Sequence, residues 1–203
     1  YGDKGEIAAG FDPTKRNRAG SILIDGIPDD WKDVAAIDDA DDGKGDADIR
    51  SVRVVGDSNN RMLYVRVDYH RAFADDAKSR KDSFLTLDVS YGSNSDIDHR
   101  ANLFRNGALG VARTSGHFTF GKPWAPDSWK WRDSGGVQQA WGRDFVEAAI
   151  PWDLVGEQDG FGLYFNSGSP AGGDWFDSAP VRVEMSAALP RLPERSWSPK
   201  PWK

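Results

Sequence analysis

Residues 38–48 read DDADDGKGDAD: six aspartates in eleven positions, with Lys44 as the one cation among them. Folding brings like charges together, and three arrangements make that bearable. The segment is a solvated irregular loop, a plain polar turn, or a loop whose carboxylates hold a cation. Calcium takes six to eight oxygen ligands, and carboxylates dominate among them. Interspersed glycines such as Gly43 and Gly45 let the backbone turn tightly. Asp39, Asp41, Asp46 and Asp48 are spaced to bend around one ion. The EF-hand pattern does not fit. Counted from Asp38, the third position is Ala40 and the twelfth is Ile49, where a glutamate is needed. A metal here would therefore be a loop site belonging to the surrounding fold.

Tryptophan is the second residue type that could do chemistry, with nine copies in 203 residues. Trp31 and Trp152 read as packing residues, one in an opening motif and one beneath a short turn. Trp124, Trp129, Trp131, Trp141 and Trp175 lie in Gly-, Pro- and Asp-rich segments outside clear strands. A sugar ring presents a flat patch of C–H groups that an aromatic face can cover, while nearby polar groups bond the hydroxyls. Each tryptophan taken alone more often packs. Together the five predict at least one exposed, ligand-facing ring. Asp174, Arg132 and Gln139 stand beside them as hydroxyl partners, with Trp175 ranked first and Trp131 second.

Catalytic signatures are missing. The sequence holds no HExxH, no GxSxG, no phosphate-cradling glycine loop and no dinucleotide fingerprint. His70, His99 and His117 lack metal-ligand spacing. No cysteine is present, which excludes disulfides and thiol chemistry. The expectation is a protein without catalytic residues. A net charge of −6 argues against a nucleic-acid partner, because phosphate binding needs clustered Lys and Arg. No apolar run approaches the ~20 residues that span a bilayer, so membrane insertion is not expected.

The elements that must position these residues are strands. "MLYVRVDY" (62–69) alternates cleanly, with Leu63, Val65 and Val67 to one side and Tyr64, Arg66 and Asp68 to the other. "IRSVRVVGD" (49–57) alternates around Ile49, Val52 and Val54, and Ser58-Asn59-Asn60 between the two runs signals a hairpin. Residues 83–90, 117–120, 144–151, 160–168 and 181–189 read as further strands. "PWDLVG" (151–156) is one helical turn at most. The prediction is an all-β, antiparallel two-sheet sandwich, immunoglobulin-like or jelly-roll-like, with long loops and almost no helix. Its expected core is Val52, Val54, Leu63, Val65, Val67, Leu85, Leu87, Val146, Ala148, Ile150, Leu163 and Phe165. Residues 1–21 read as an N-terminal extension packing on a domain over 22–188, and 189–203 as a Pro/Trp-rich tail or linker. Residues 121–142 read as a Trp-rich excursion outside the strands.

The order of motifs then becomes familiar: "ILIDGIPDDWKDV" (22–34), "GDADIRSVRVVGDSNNRMLYVRVDY" (45–69), "KDSFLTLDV" (81–89), "FVEAAIPWDLVG" (145–156) and "GFGLYFN" (160–166). In order and spacing this resembles carbohydrate-binding module family 9, within the wider DOMON-like superfamily, over roughly residues 22 to 185. The resemblance implies a β-sandwich that binds polysaccharide or oligosaccharide without cleaving it. It implies structural calcium, and a secreted, periplasmic or cell-surface setting within a larger multidomain protein. It also implies two tryptophans sandwiching a terminal sugar, and Trp175 matches the second of these positions most nearly. A glutamate that reads hydroxyls, in a "DSVE"-like stretch, is replaced here by Leu85 in Asp82-Ser83-Phe84-Leu85. Glu147 matches a glutamate usual in the family, as a structural or ligand-contacting group. Two other readings stay open. One is a structural or docking domain without sugar affinity. The other is a haem-b-binding DOMON-type domain using Met62 or Met185 with one of the histidines.

Overall fold

The computed structural model describes residues 6–7, 22–91, 97–114, 129–132, 136–155, 160–177 and 179–184. It describes their side chains except in 6–7, 109–114, 129–132, Asp153 and Val155. Two antiparallel sheets face each other. The first (sheet A) comprises β1 (Glu6–Ile7), β2 (Ile37–Asp38), β3 (Ile49–Asp57), β4 (Met62–Tyr69), β9 (Gln138–Trp141) and β10 (Phe145–Pro151). They run in the order β1-β9-β10-β4-β3-β2. The second (sheet B) comprises β5 (Phe84–Ser90), β6 (His99–Phe104), β7 (Leu109–Thr114), β8 (Trp129–Arg132), β11 (Gly160–Ser169), β12 (Gly172–Trp175) and β13 (Val181–Glu184). Its order is β12-β11-β5-β6-β7-β8, with β13 also paired to β11. Among the described residues, helix is confined to α1 (Ala77–Asp82), α2 (Trp152–Val155) and a 3-10 turn at Pro28–Trp31. The all-β sandwich expected from the sequence is what the chain forms.

Period-two alternation builds the core. Leu63, Val65 and Val67 of β4 and Val146, Ala148 and Ile150 of β10 meet Leu85, Leu87 and Val89 of β5 and Phe161, Leu163 and Phe165 of β11. The other expected core residue positions are also filled, with Val54 partly buried against the cluster. The outward row of β4 is not solvated. Tyr64, Arg66 and Asp68 are all buried. A second apolar layer explains Tyr64: Ile22, Ile24, Trp31 and Val34 fold over the outer face of sheet A, against Val55, Tyr64, Ala140 and Ala149.

The Trp-rich excursion is partly strand. Trp129–Arg132 forms β8 at one end of sheet B, and Gln138–Trp141 forms β9 in sheet A. The segment is the crossover between the two sheets. The strand expected at 117–120 and the tail over 189–203 lie outside the described residues.

Candidate functional site

The acidic loop runs from β2 into β3 and packs on the β11–β12 hairpin. Gly45 has φ +81° and lies against the Ala171 backbone, where a Cβ would come within 2.5 Å. Gly172, with φ +151°, meets the Lys44 carbonyl in the same way. Only glycines allow this close approach. The packing brings carboxylates from distant parts of the chain together. Carboxylate oxygens of Asp42, Asp48 and Asp174 all lie within 4.8 Å of one another. Asp174 Oδ2 accepts from Ile49 N at 3.0 Å, a contact spanning 125 residues.

The trio is only partly compensated: Arg71 Nη1 donates to Asp48 Oδ2 at 2.6 Å and Trp175 N to Asp174 Oδ1 at 2.8 Å, so one cation and backbone N–H groups face three carboxylates. Burial raises the Asp174 carboxyl, and the charges of Asp48 and Asp42 raise it further. Burial pushes Asp39 up to about 6, with Asp174 and Asp177 adding repulsion against the Asp177 N–H donor. Asp39 Oδ2 is buried and has no hydrogen-bond partner. An oxygen-only, carboxylate-rich donor set suits a hard cation of the calcium or magnesium type. These residues fit such an ion.

Of the four ligands expected from sequence, Asp48 alone belongs to this trio. Asp41 is exposed and accepts from Arg71 Nη2 at 2.5 Å, and that guanidinium holds its pKa down. Asp46 is a structural tie. Its Oδ2 accepts from Ala74 N at 2.9 Å, and its Oδ1 accepts from the Ser169 hydroxyl. Asp39 sits at the margin, accepting from Asp177 N. Asp42 was missed because its neighbours in sequence look the same. Asp174 was assigned to sugar, and the structure turns it into the acidic cluster instead. Adjacent strand residues point to opposite faces, so Asp174 faces the loop while Trp175 faces out.

Trp175 opens onto an aromatic cleft on the outer face of sheet B. It is 48% exposed, the most exposed large hydrophobic side chain among the described residues. The open cleft measures about 350 Å³ and is lined by Phe84, Thr86, Arg100, Asn102, Phe104, Asn166 and Trp175. These residues are the outward positions of β5, β6, β11 and β12, alternating with core residues. Phe84 and Phe104 stand with ring centroids 6.2 Å apart. Thr86 Oγ1 donates to Asn102 Oδ1 at 2.9 Å, and Asn166 Nδ2 donates to the Asp174 carbonyl at 3.1 Å. Arg100 is buried and forks onto Asp88, with both bonds at 2.5 Å, so its charge is balanced within the protein. Burial raises the Asp88 carboxyl, and Arg100 opposes that rise.

The other sugar-site residues separate. Trp141 is 3% exposed in the main core, where its Nε1 donates to Gln139 Oε1 at 2.8 Å. Gln139 is buried too and donates its amide to the Ala108 carbonyl. Neither can meet a ligand, because β9 is covered on both faces. Trp129, Trp131 and Arg132 lie on β8, at the opposite end of sheet B from β12. Five inter-strand steps separate β8 from β12 in that order, about 24 Å at ~4.8 Å per step. The structure therefore does not bring the β8 tryptophans to Trp175. Trp124 lies outside the described residues. Leu85, at the position of the family glutamate, is 1% exposed and faces the core, while Phe84 and Thr86 beside it face the cleft. Phe84 and Thr86 were legible as the outward residues of an alternating strand. Arg100, Asn102 and Phe104 were not, because "HRANLF" mixes polar and apolar residues without a clean period.

Glu147 is fully buried, with Oε1 accepting from Asp25 N and Gly26 N and Oε2 from Trp31 Nε1 at 2.8 Å. Burial pushes its carboxyl up to about 7, against these donors and Arg66. It ties the second apolar layer to sheet A and is not part of the lining of the Trp175 cleft.

Comparison with family models, curated proteins and solved structures finds no match to this chain. The class is set by fold and site alone: an antiparallel β-sandwich with an aromatic cleft on one outer sheet face and a carboxylate trio beside it.

Proposed function

We propose that the protein is a non-catalytic carbohydrate-binding module whose ligand stacks on Trp175 in the outer cleft of sheet B. The observation that carries this reading is the make-up of the cleft. Trp175, Phe84 and Phe104 offer flat apolar faces beside the neutral hydrogen-bonding groups of Thr86, Asn102 and Asn166. The one charged residue in the lining, Arg100, is already balanced by Asp88. Flat C–H patches ringed by hydroxyls are the chemistry of a neutral sugar. Aromatic rings that are rigid and half exposed make effective anchors.

Calcium is the cation proposed for Asp42, Asp48 and Asp174, with stability as its role. The motif order noted above supports a secreted or cell-surface setting within a larger polysaccharide-associated protein. Isothermal calorimetry with a panel of soluble neutral oligosaccharides tests the reading. The parent is expected to bind at least one, and Trp175→Ala to weaken it by about thirtyfold or more, as loss of an aromatic anchor does. Binding that survives Trp175→Ala unchanged places the site elsewhere. A parent that binds nothing favours a structural or docking domain.

A further inference from the structure

The outer face of sheet A holds a cationic cluster that the sugar cleft does not use. Arg50, Arg53 and Arg66 converge on one carboxylate, Asp68, itself 2% exposed. Arg66 donates from Nε at 2.9 Å and from Nη2 at 2.5 Å to Asp68 Oδ1. Arg53 Nη1 donates to Oδ2, and Arg50 Nη2 stands 3.8 Å from Oδ1. A β-bulge makes this convergence possible. Ile49 pairs with Tyr69 and Ser51 with Asp68, so Arg50 is an extra residue in β3. Such bulges re-aim side chains and cluster near sites. Three guanidinium groups thus share one acidic partner.

The nearby acids do not restore the balance. Glu147 lies opposite Arg66 on β10 and feels its charge, but it hydrogen-bonds to Asp25, Gly26 and Trp31 instead of the guanidinium, and burial favours its neutral form. Asp38 stands across from Ser51 on β2 and is exposed. Moreover, Arg53 Nε and Arg66 Nη1 are buried and have no acceptor among the protein atoms. Buried donors without acceptors are costly, and each calls for an explanation such as a bound ion. Arg66 is otherwise held rigid, with its guanidinium carbon 4.3 Å from the Phe145 ring centroid.

The geometry points to an oxyanion-binding site at Arg50 and Arg53, backed by Arg66, for a carboxylate or sulfate group on an acidic ligand. Access is graded in the right order. The Arg50 side chain is 49% exposed, Arg53 25% and Arg66 8%, so a ligand meets the Arg50 guanidinium and the outer edge of Arg53 over a fixed base. Planar guanidinium forks match oxyanions in pairs. Sheet A and sheet B turn their outer faces in opposite directions, so this site stands or falls apart from the sugar cleft.

Calorimetric titration of the full chain with sodium sulfate and with sodium glucuronate, at ionic strength held constant with chloride, reads the site directly. Saturable binding of either anion is expected. Preference for sulfate marks a sulfate-ester ligand, and preference for glucuronate marks a carboxylate. Arg53→Ala should weaken binding about tenfold, since a charge-assisted fork is lost. Arg53→Lys should recover only part of this. Arg50→Ala changes a half-exposed residue, keeps the fold, and should also weaken binding. The inference is overturned if neither anion binds saturably, or if the anion that binds does so equally well to Arg50→Ala and Arg53→Ala.

Discussion

Trp175 and Trp141 are the same side chain in opposite employment, and substitutions should separate them. Trp141 fills the main core and meets Phe73 with ring centroids 5.6 Å apart. Trp141→Ala should lower stability by about 3–5 kcal/mol, because it opens a cavity in a packed interior. Trp175→Ala should leave the melting temperature nearly unchanged and remove sugar affinity. Thermal melts beside calorimetry on both variants check this, and a large stability loss in Trp175→Ala would count against a ligand-facing role. The sequence ranked Trp175 first but could not reject Trp141, since residue type does not reveal which face of a strand it occupies. That face is set by register with β10, where Trp141 pairs with Val146.

At the scale of elements, the acidic loop and the β11–β12 hairpin form one unit. Loop composition pointed to cation chemistry, and of the four aspartates that spacing selected, the fold places Asp48 in the trio and Asp39, Asp41 and Asp46 outside it. The third carboxylate, Asp174, arrives from a hairpin that no local pattern connects to residues 38–48. Asp41 and Asp46 are taken up by Arg71, Ala74 and Ser169, partners equally remote in sequence. Calcium added to chelator-treated protein should therefore raise the melting temperature, since a ligand of the folded state stabilises it. At a free concentration one hundred times the dissociation constant, the gain is about 2.7 kcal/mol. Asp48→Asn with Asp174→Asn should abolish that response, and Asp41→Asn should keep it. A double variant that still responds like the parent would put the ion elsewhere.

Two apolar layers pack the described residues, and the inner one was legible where strands alternate strictly, but not at Phe73, Leu103, Trp141 or Phe176. Strict alternation in β4, β5 and β10 predicted the inter-sheet core almost residue by residue. It did not predict that Tyr64, on the polar row, would be buried beneath residues 22–34. That layer hangs on Glu147, a carboxylate under three N–H donors and cut off from water. Its pKa is raised from 4.5 to about 7 by burial. The folded state therefore holds this proton more tightly than the unfolded chain between those values. The associated stability is fully present below pH ~4.5 and is lost as pH rises through about 7. The shift corresponds to about 3 kcal/mol at most. Glu147→Gln removes the titration. It also sets an amide N–H against one of the N–H donors, which costs about 1 kcal/mol at every pH. Glu147→Gln should thus be less stable than the parent at pH 5, and its deficit should shrink or reverse by pH 8. Denaturant melts of both proteins in chelator across that range give the difference directly, with the loop carboxylates common to both. A deficit that stays constant from pH 5 to 8 would mean that Glu147 is ionised throughout, with its donors outweighing its burial.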